Sequence, residues 1–172
     1  MIKKFNEFIN ESLRDKMKGK THDEIVKNFN KIKDDDKKNW LKNWLYSLAR
    51  RTDGEKILLE LFEGLKNDEI NIHWTILSDF LLTCVYFNYY HLSKKIIETG
   101  NVDLESTDFN GNTPLLIASK NGNKKMVELL VENGANIEHY NNNRQNAFDI
   151  AIFNNNTQIA IYLLKYKQNN KL

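Results

Sequence analysis

The segment from Asp108 to Tyr140 decides what this chain can fold into, because its order of residues recurs on both sides of it. Asp108-Phe109-Asn110-Gly111-Asn112 is rich in turn formers, and Thr113 then stands directly before Pro114. A threonine hydroxyl can accept a backbone N–H at a helix start, and proline at the first helical position gives up an N–H that has no partner there anyway. Leu115 and Ala118 lie on the inward side of that helix, Ala118 being small enough for close approach, and Gly122 turns the chain. Met126, Leu130 and Val131 make one face of a second helix, which Gly134 ends in a left-handed conformation. One such helix pair cannot bury its own apolar faces, so it needs copies at a spacing of about 33 residues. Downstream, Asn146, Phe148 and Ala151 take the places of Thr113, Leu115 and Ala118, followed by Ile159, Ala160, Tyr162 and Leu163. Upstream, Asp79, Leu81 and Cys84 take them, followed by Leu92, Ile96, Ile97 and a capping Gly100. Asp79, Thr113 and Asn146 are therefore expected as three recurring caps. The exits recur as well, at Glu69-Ile70-Asn71, Asp103-Leu104-Glu105 and Asn136-Ile137-Glu138.

The Thr-Pro-Leu helix start, the glycine turn and the Gly-Ala-Asn-Ile exit resemble the ankyrin repeat. The resemblance departs from the family at Leu116, where a histidine is usual, and at Ser119, where an alanine is usual, which puts the histidine's hydrogen bond to neighbouring repeats in doubt. It implies an all-α, ankyrin-type helical solenoid. The stretch from Asp36 to Leu65 reads as a degenerate first repeat, with helices from Lys38 to Arg50 and from Glu55 to Phe62 around Thr52-Asp53-Gly54. Its Trp40, Leu41, Trp44, Leu45, Leu48 and Ala49 are bulky enough for a terminal cap. The expected organisation is an N-terminal helical extension over 1–35 and a solenoid over 36–172, with repeats near 36–72, 73–107, 108–140 and 141–172. In the extension, Phe5, Phe8, Ile9, Leu13 and Met17 share one helix side, and Thr21 with Glu24 makes a capping box for a second helix. The leader is similar to short N-terminal leaders of small proteins of large tailed bacteriophages, which implies a partner among the proteins of an infected host.

Composition narrows the function classes. The 172 residues hold 25 Lys and Arg against 23 Asp and Glu, so a net charge of +2 sets up no strong field for nucleic acid or an anionic membrane. The single cysteine excludes an intramolecular disulfide, a four-cysteine zinc site and a CxxC pair, which fits a reducing, cytoplasmic setting. Polar residues Asn6, Glu7, Asn10 and Glu11 interrupt any signal-peptide core, and no apolar run reaches the length of a membrane span. Asparagine supplies 25 of the 172 residues and proline one, a bias that suggests an AT-rich genome.

Catalysis needs a nucleophile or metal with partners in reach. His22, His73, His91 and His139 lie far apart without a ligand at metal-binding spacing, Cys84 takes the place of a packing alanine, and Asp34-Asp35-Asp36 reads as a solvated helix end. No glycine-rich phosphate loop or serine elbow occurs. The expectation is a protein without catalysis, cofactor or metal. In stacks of the family it resembles, the turns between repeats and the exposed ends of the first helices line one concave side that grips a partner protein. By register that side carries Trp74, Ile76, Tyr86, Phe109, Asn112, Lys120, Tyr140, Asn142 and Phe153. A few aromatic anchors ringed by amides have the make-up of an interface hot spot. Other roles stay open: packing on the neighbouring hairpin for Tyr86 and Phe87, covering the end of the degenerate first repeat for Trp74, and, for the whole protein, a structural or virion-associated component that assembles with itself.

Overall fold

A computed structural model describes residues 43, 45–67 and 74–170, all within one compact unit, Leu41–Leu172. The expectations for the leader, for Asp34 to Asp36, for Trp40, Leu41 and Trp44, and for Glu69 to His73 lie outside the described residues. Among the described residues all regular structure is helical. A helical stretch at 45–49 leads to α1 (Gly54–Asn67), then α2 (Trp74–Tyr86) with α3 (Tyr90–Ile97), α4 (Pro114–Asn121) with α5 (Lys124–Glu132), and α6 (Ala147–Phe153) with α7 (Thr157–Asn169). Helices α2, α4 and α6 pack side by side as an inner row, while α1, α3, α5 and α7 form an outer row against them. This is an all-α solenoid in two layers, as the sequence implies.

The middle pair forms as its sequence dictates. Thr113 is the N-cap of α4 and its side chain accepts the Leu116 N–H at 3.5 Å, with Pro114 in the first turn. Gly122 then takes φ +72 to end the helix, and Gly134 takes φ +93 after α5. Every residue from Pro114 to Ser119 is buried, because α2 packs on one side of α4 and α6 on the other. Leu116, standing where the family has histidine, is wholly buried in apolar packing, and the buried Ser119 hydroxyl finds no hydrogen-bond partner among the described residues. Leu81, Cys84, Leu92 and Ile96 fill the same places one repeat earlier, and Ala151, Ile159, Ala160 and Leu163 one repeat later.

Three expectations fail for physical reasons. Asp79 is no cap: α2 starts at Trp74, so Asp79 lies inside the helix and is buried, with its carbonyl accepting the Thr83 hydroxyl at 3.0 Å. No proline follows Asp79, so nothing there stops the helix from extending five residues back. Helix α1 likewise begins at Gly54 and runs past Phe62 to Asn67. Phe148 is not buried like Leu115; it is 36% exposed, because among the described residues no helix covers α6 as α6 covers Leu115.

The left-handed places that glycine holds in the middle repeat are held elsewhere by other residues. Asn88 (φ +61) and Asn155 (φ +59) stand where Gly122 does, and Arg144 (φ +59) stands where Gly111 does. Asparagine visits this region with least difficulty after glycine, so losing glycines from the outer repeats leaves the turns intact. Gly54 is needed for closeness instead: a Cβ there would lie 2.7 Å from both the Ala49 carbonyl oxygen and the Tyr89 hydroxyl, which donates to that same carbonyl at 2.6 Å.

Candidate protein-binding surface

Between the helix pairs the chain forms two projecting fingers, 108–112 and 141–145, built by equivalent residues. Asp108 Oδ1 accepts the N–H groups of Asn110 (2.8 Å) and Asn112 (2.9 Å). Asn141 Oδ1 accepts those of Asn143 and Gln145, both at 3.0 Å. Each is a short polar side chain folding the backbone onto itself. The fingers are then tied to one another. The Asn141 amide donates to Asn112 Oδ1 at 2.8 Å, the Asn142 N–H donates to the Asn110 carbonyl at 3.0 Å, and Asn142 Nδ2 donates to the Phe109 carbonyl at 3.2 Å. His139 braces the pair from below, with Nε2 at 3.1 Å from the Gly111 carbonyl and Nδ1 at 3.8 Å from Glu105.

A second amide ladder fixes the inner-helix ends. Asn121 Nδ2 donates to the Tyr86 carbonyl at 3.1 Å, and Asn156 Nδ2 donates to the Ser119 carbonyl at 2.8 Å. Carbonyls at a helix C-terminus lack intrahelical partners, so each amide satisfies the preceding repeat while setting its distance. This places Tyr86, Lys120 and Phe153 in equivalent positions along one row, beside the row of fingers.

The expected site residues fall into three groups. Phe109, Lys120, Tyr140 and Phe153 are exposed, Phe109 at 86% and Phe153 at 78%. Asn112 and Asn142 are occupied by the fold itself: Asn112 donates its amide to Asp108 Oδ2 at 3.0 Å and accepts from Asn141, and Asn142 bridges the finger tips. Tyr86 belongs to an aromatic cluster, its ring 5.5 Å from Tyr46 and 5.3 Å from Phe87, with Phe87 in turn 5.1 Å from Tyr46. A hydrogen bond with Tyr86 pushes the Tyr46 phenol above its ordinary range. The cluster places Phe87 in packing on the neighbouring helices. Trp74 and Ile76 belong to the first turn of α2 rather than to a turn between repeats, and their side chains lie outside the described part.

Among the described residues no group of three His, Cys, Asp or Glu side chains could hold a metal ion, and no helix is long and apolar enough to cross a membrane. Burial in apolar surroundings pushes the Cys84 thiol well above its usual range, the opposite of what a nucleophile requires.

A family model described as ankyrin repeats (3 copies) matches residues 81–172. The probable palmitoyltransferase AKR2 of Saccharomyces uvarum is 30% identical over 105 residues, 58% of this chain and 14% of that protein. Alpha-latroinsectotoxin-Lt1a of Latrodectus tredecimguttatus is 34% identical over 70 residues, 41% of this chain and 5% of the toxin. NAD-capped RNA hydrolase NUDT12 of Homo sapiens is 38% identical over 68 residues, 40% of this chain and 15% of the hydrolase. The chain therefore spans less than a sixth of each of these relatives. Among solved structures, the Bd0816 predatory endopeptidase from Bdellovibrio bacteriovorus in complex with immunity protein Bd3460 gives a TM-score of 0.47 at 28% identity, covering 49% of this chain and 44% of that one.

Proposed function

Because the chain belongs to the ankyrin-repeat family, whose stacks are protein-interaction modules, we propose that it is a non-catalytic module gripping a partner protein through its finger tips and inner-helix ends. The observation that carries this reading is the exposure of Phe109 at 86% and Phe153 at 78% on a side where the fold itself asks only for polar residues. Burying one such ring in a partner's pocket is worth roughly 1.5–3 kcal/mol. Phe109, Tyr140 and Phe153 are the anchors, with Lys120 beside them as a cation. Asn112 and Asn142 act indirectly, by holding the fingers at a fixed spacing so that the rings meet the partner preorganised.

Proteins named as a palmitoyltransferase, a toxin and an RNA hydrolase are each matched over only 14%, 5% and 15% of their lengths, so the activities in those names are not carried over to this segment. The binding unit we propose is 36–172 in four repeats, preceded by an extension over 1–35. The likeness of that leader to those of phage proteins favours a host-cell protein as partner, in a cytoplasmic setting.

The test is affinity capture from host lysate, comparing wild type with a Phe109→Ala/Tyr140→Ala double variant whose far-UV circular dichroism matches wild type. One protein retained by wild type and lost by the variant is the expected outcome. Equal capture of that protein by both forms would move the site off the fingers and refute the assignment.

A further inference from the structure

Asparagine stands directly before glycine at three places, Asn110-Gly111, Asn121-Gly122 and Asn133-Gly134. Such a pair is open to attack on itself, because a glycine has no Cβ to keep its amide nitrogen away from the preceding carboxamide carbon. The three backbones are alike. All three asparagines are exposed, and all three glycines take positive φ. Each glycine N–H donates to the carbonyl three residues back: Gly111 to Asp108 at 3.1 Å, Gly122 to Ser119 at 3.4 Å and Gly134 to Val131 at 3.1 Å. What separates the sites is the carboxamide and the element that carries it. Asn121 is the last residue of α4, and its Nδ2 donates to the Tyr86 carbonyl at 3.1 Å. Asn133 is the C-cap of α5, and its Nδ2 donates to the Leu129 carbonyl at 2.8 Å. Asn110 stands in the turn of a finger, and its side chain makes no hydrogen bond among the described residues.

We infer that Asn110 is a site of spontaneous deamidation, and that the modification releases one finger from the other. The Gly111 nitrogen attacks Asn110 Cγ, the N–Cγ bond forms and the Cγ–Nδ2 bond breaks, and Nδ2 leaves as ammonia with the proton that Gly111 gives up. Water then opens the cyclic imide at one of its two carbonyls. Opening at the side-chain carbonyl gives aspartate; opening at the main-chain carbonyl gives isoaspartate, whose chain runs through the former side chain with one extra methylene. At Asn121 and Asn133 the reaction must first open a helix end and break the bond of the carboxamide, whereas at Asn110 only the turn has to open. The main chain of Asn110 is what ties the fingers: Asp108 Oδ1 accepts its N–H at 2.8 Å, and its carbonyl accepts the Asn142 N–H at 3.0 Å. Isoaspartate lengthens the finger and turns that carbonyl into a free carboxylate beside Asp108, so Asn142 loses its fixed acceptor. A lower affinity of the aged molecule, through a looser mount for Phe109, rests on the fingers being the gripping surface; the modification and the loosening do not.

Incubating the full chain in mildly alkaline buffer and mapping its peptides by mass spectrometry, with fragmentation that separates isoaspartate from aspartate, follows all three sites at once. In the folded chain, conversion at residue 110 should run at least about fivefold faster than at 121 or 133. In guanidinium, where the three pairs lose their surroundings, the rates should converge. Equal rates in the folded chain, or a lead for residue 110 that persists in guanidinium, overturns the assignment. Hydrogen exchange reads the consequence without any partner. In the isoaspartyl form the Asn142 N–H should exchange at least about tenfold faster than in the fresh chain, while the Leu130 N–H inside α5 stays as it was. An unchanged Asn142 rate overturns the loosening. Asn110→Gln keeps an amide at an exposed position but closes the larger imide ring far more slowly, so it should show neither conversion nor loosening; loosening on ageing in this variant overturns the link between the two.

Discussion

Replacing Asn141 with alanine should destabilise the stack by about 2–4 kcal/mol, although the residue sits at the base of a surface finger. Its buried side chain accepts two backbone N–H groups at 3.0 Å and donates to Asn112 Oδ1 at 2.8 Å. Each bond contributes about 0.5–1.5 kcal/mol net, and the two stranded N–H groups add to the loss. Asn141→Asp separates the accepting from the donating role. The carboxylate keeps both backbone bonds, as Asp108 does one repeat earlier, but it turns an oxygen toward Asn112 Oδ1. Asn112 could rotate its amide to donate instead, yet that amide already serves Asp108 Oδ2 at 3.0 Å. The nitrogen of Asn112 faces Asp108 and its oxygen faces residue 141, so neither orientation of the amide turns donors to both carboxylates, and Asn141→Asp should cost about 1–2 kcal/mol. Asp108→Asn should cost a similar amount, because it places donor against donor. In the double variant D108N/N141D the conflict disappears: Asn112 rotates, donates to the new carboxylate and accepts from the new amide. The double variant should therefore be more stable than the sum of the singles by about 1–2 kcal/mol, a coupling readable from urea denaturation followed by far-UV ellipticity at unchanged m. Additivity within about 0.5 kcal/mol, or an Asn141→Ala variant no less stable than wild type, would refute the account.

Two further outcomes follow from the backbone and from buried titratable groups. Gly111→Ala should cost about 2 kcal/mol or more, since a Cβ there meets Asn142 Oδ1 at 2.7 Å at a φ of +74, whereas Arg144→Gly at φ +59 should stabilise by up to about 1 kcal/mol; thermal melts of both variants check the opposite signs. Stability should fall on the alkaline side. Burial raises the Cys84 thiol in the folded chain, so the folded state holds that proton while the unfolded chain releases it above about pH 8.5. The phenols of Tyr46, Tyr89 and Tyr162 are raised too and add their loss above about pH 10. Cys84→Ala, which installs the residue found at the equivalent Ala118, should delay the onset of the decline in denaturation measured against pH.

What the sequence made legible depended on whether a residue's role was local or borrowed from its neighbours. Thr113, Pro114, Gly122 and Gly134 act within a few residues of themselves, and their positions set the register in which the flanking repeats could be aligned. The same register misplaced the start of α2, because a helix boundary is marked by breakers and α2 has none near Asp79. Phe148 was misread for a different reason: its burial depends on what covers α6, which no property of residue 148 encodes. Asparagine shows the limit most plainly. In the sequence its abundance is a compositional bias, and only the stack reveals that Asn121 and Asn156 bridge consecutive helix ends, that Asn88 and Asn155 hold left-handed turns, and that Asn141 and Asn142 tie finger to finger. One residue type does all three because a short amide both donates and accepts, and tolerates positive φ. A chain with few glycines and one proline can therefore still build a regular solenoid, provided its repeats are bound to one another through amides. The aromatic anchors then stand on fingers whose spacing is fixed by those bonds, so loosening an asparagine such as Asn142 should weaken partner binding without touching a ring.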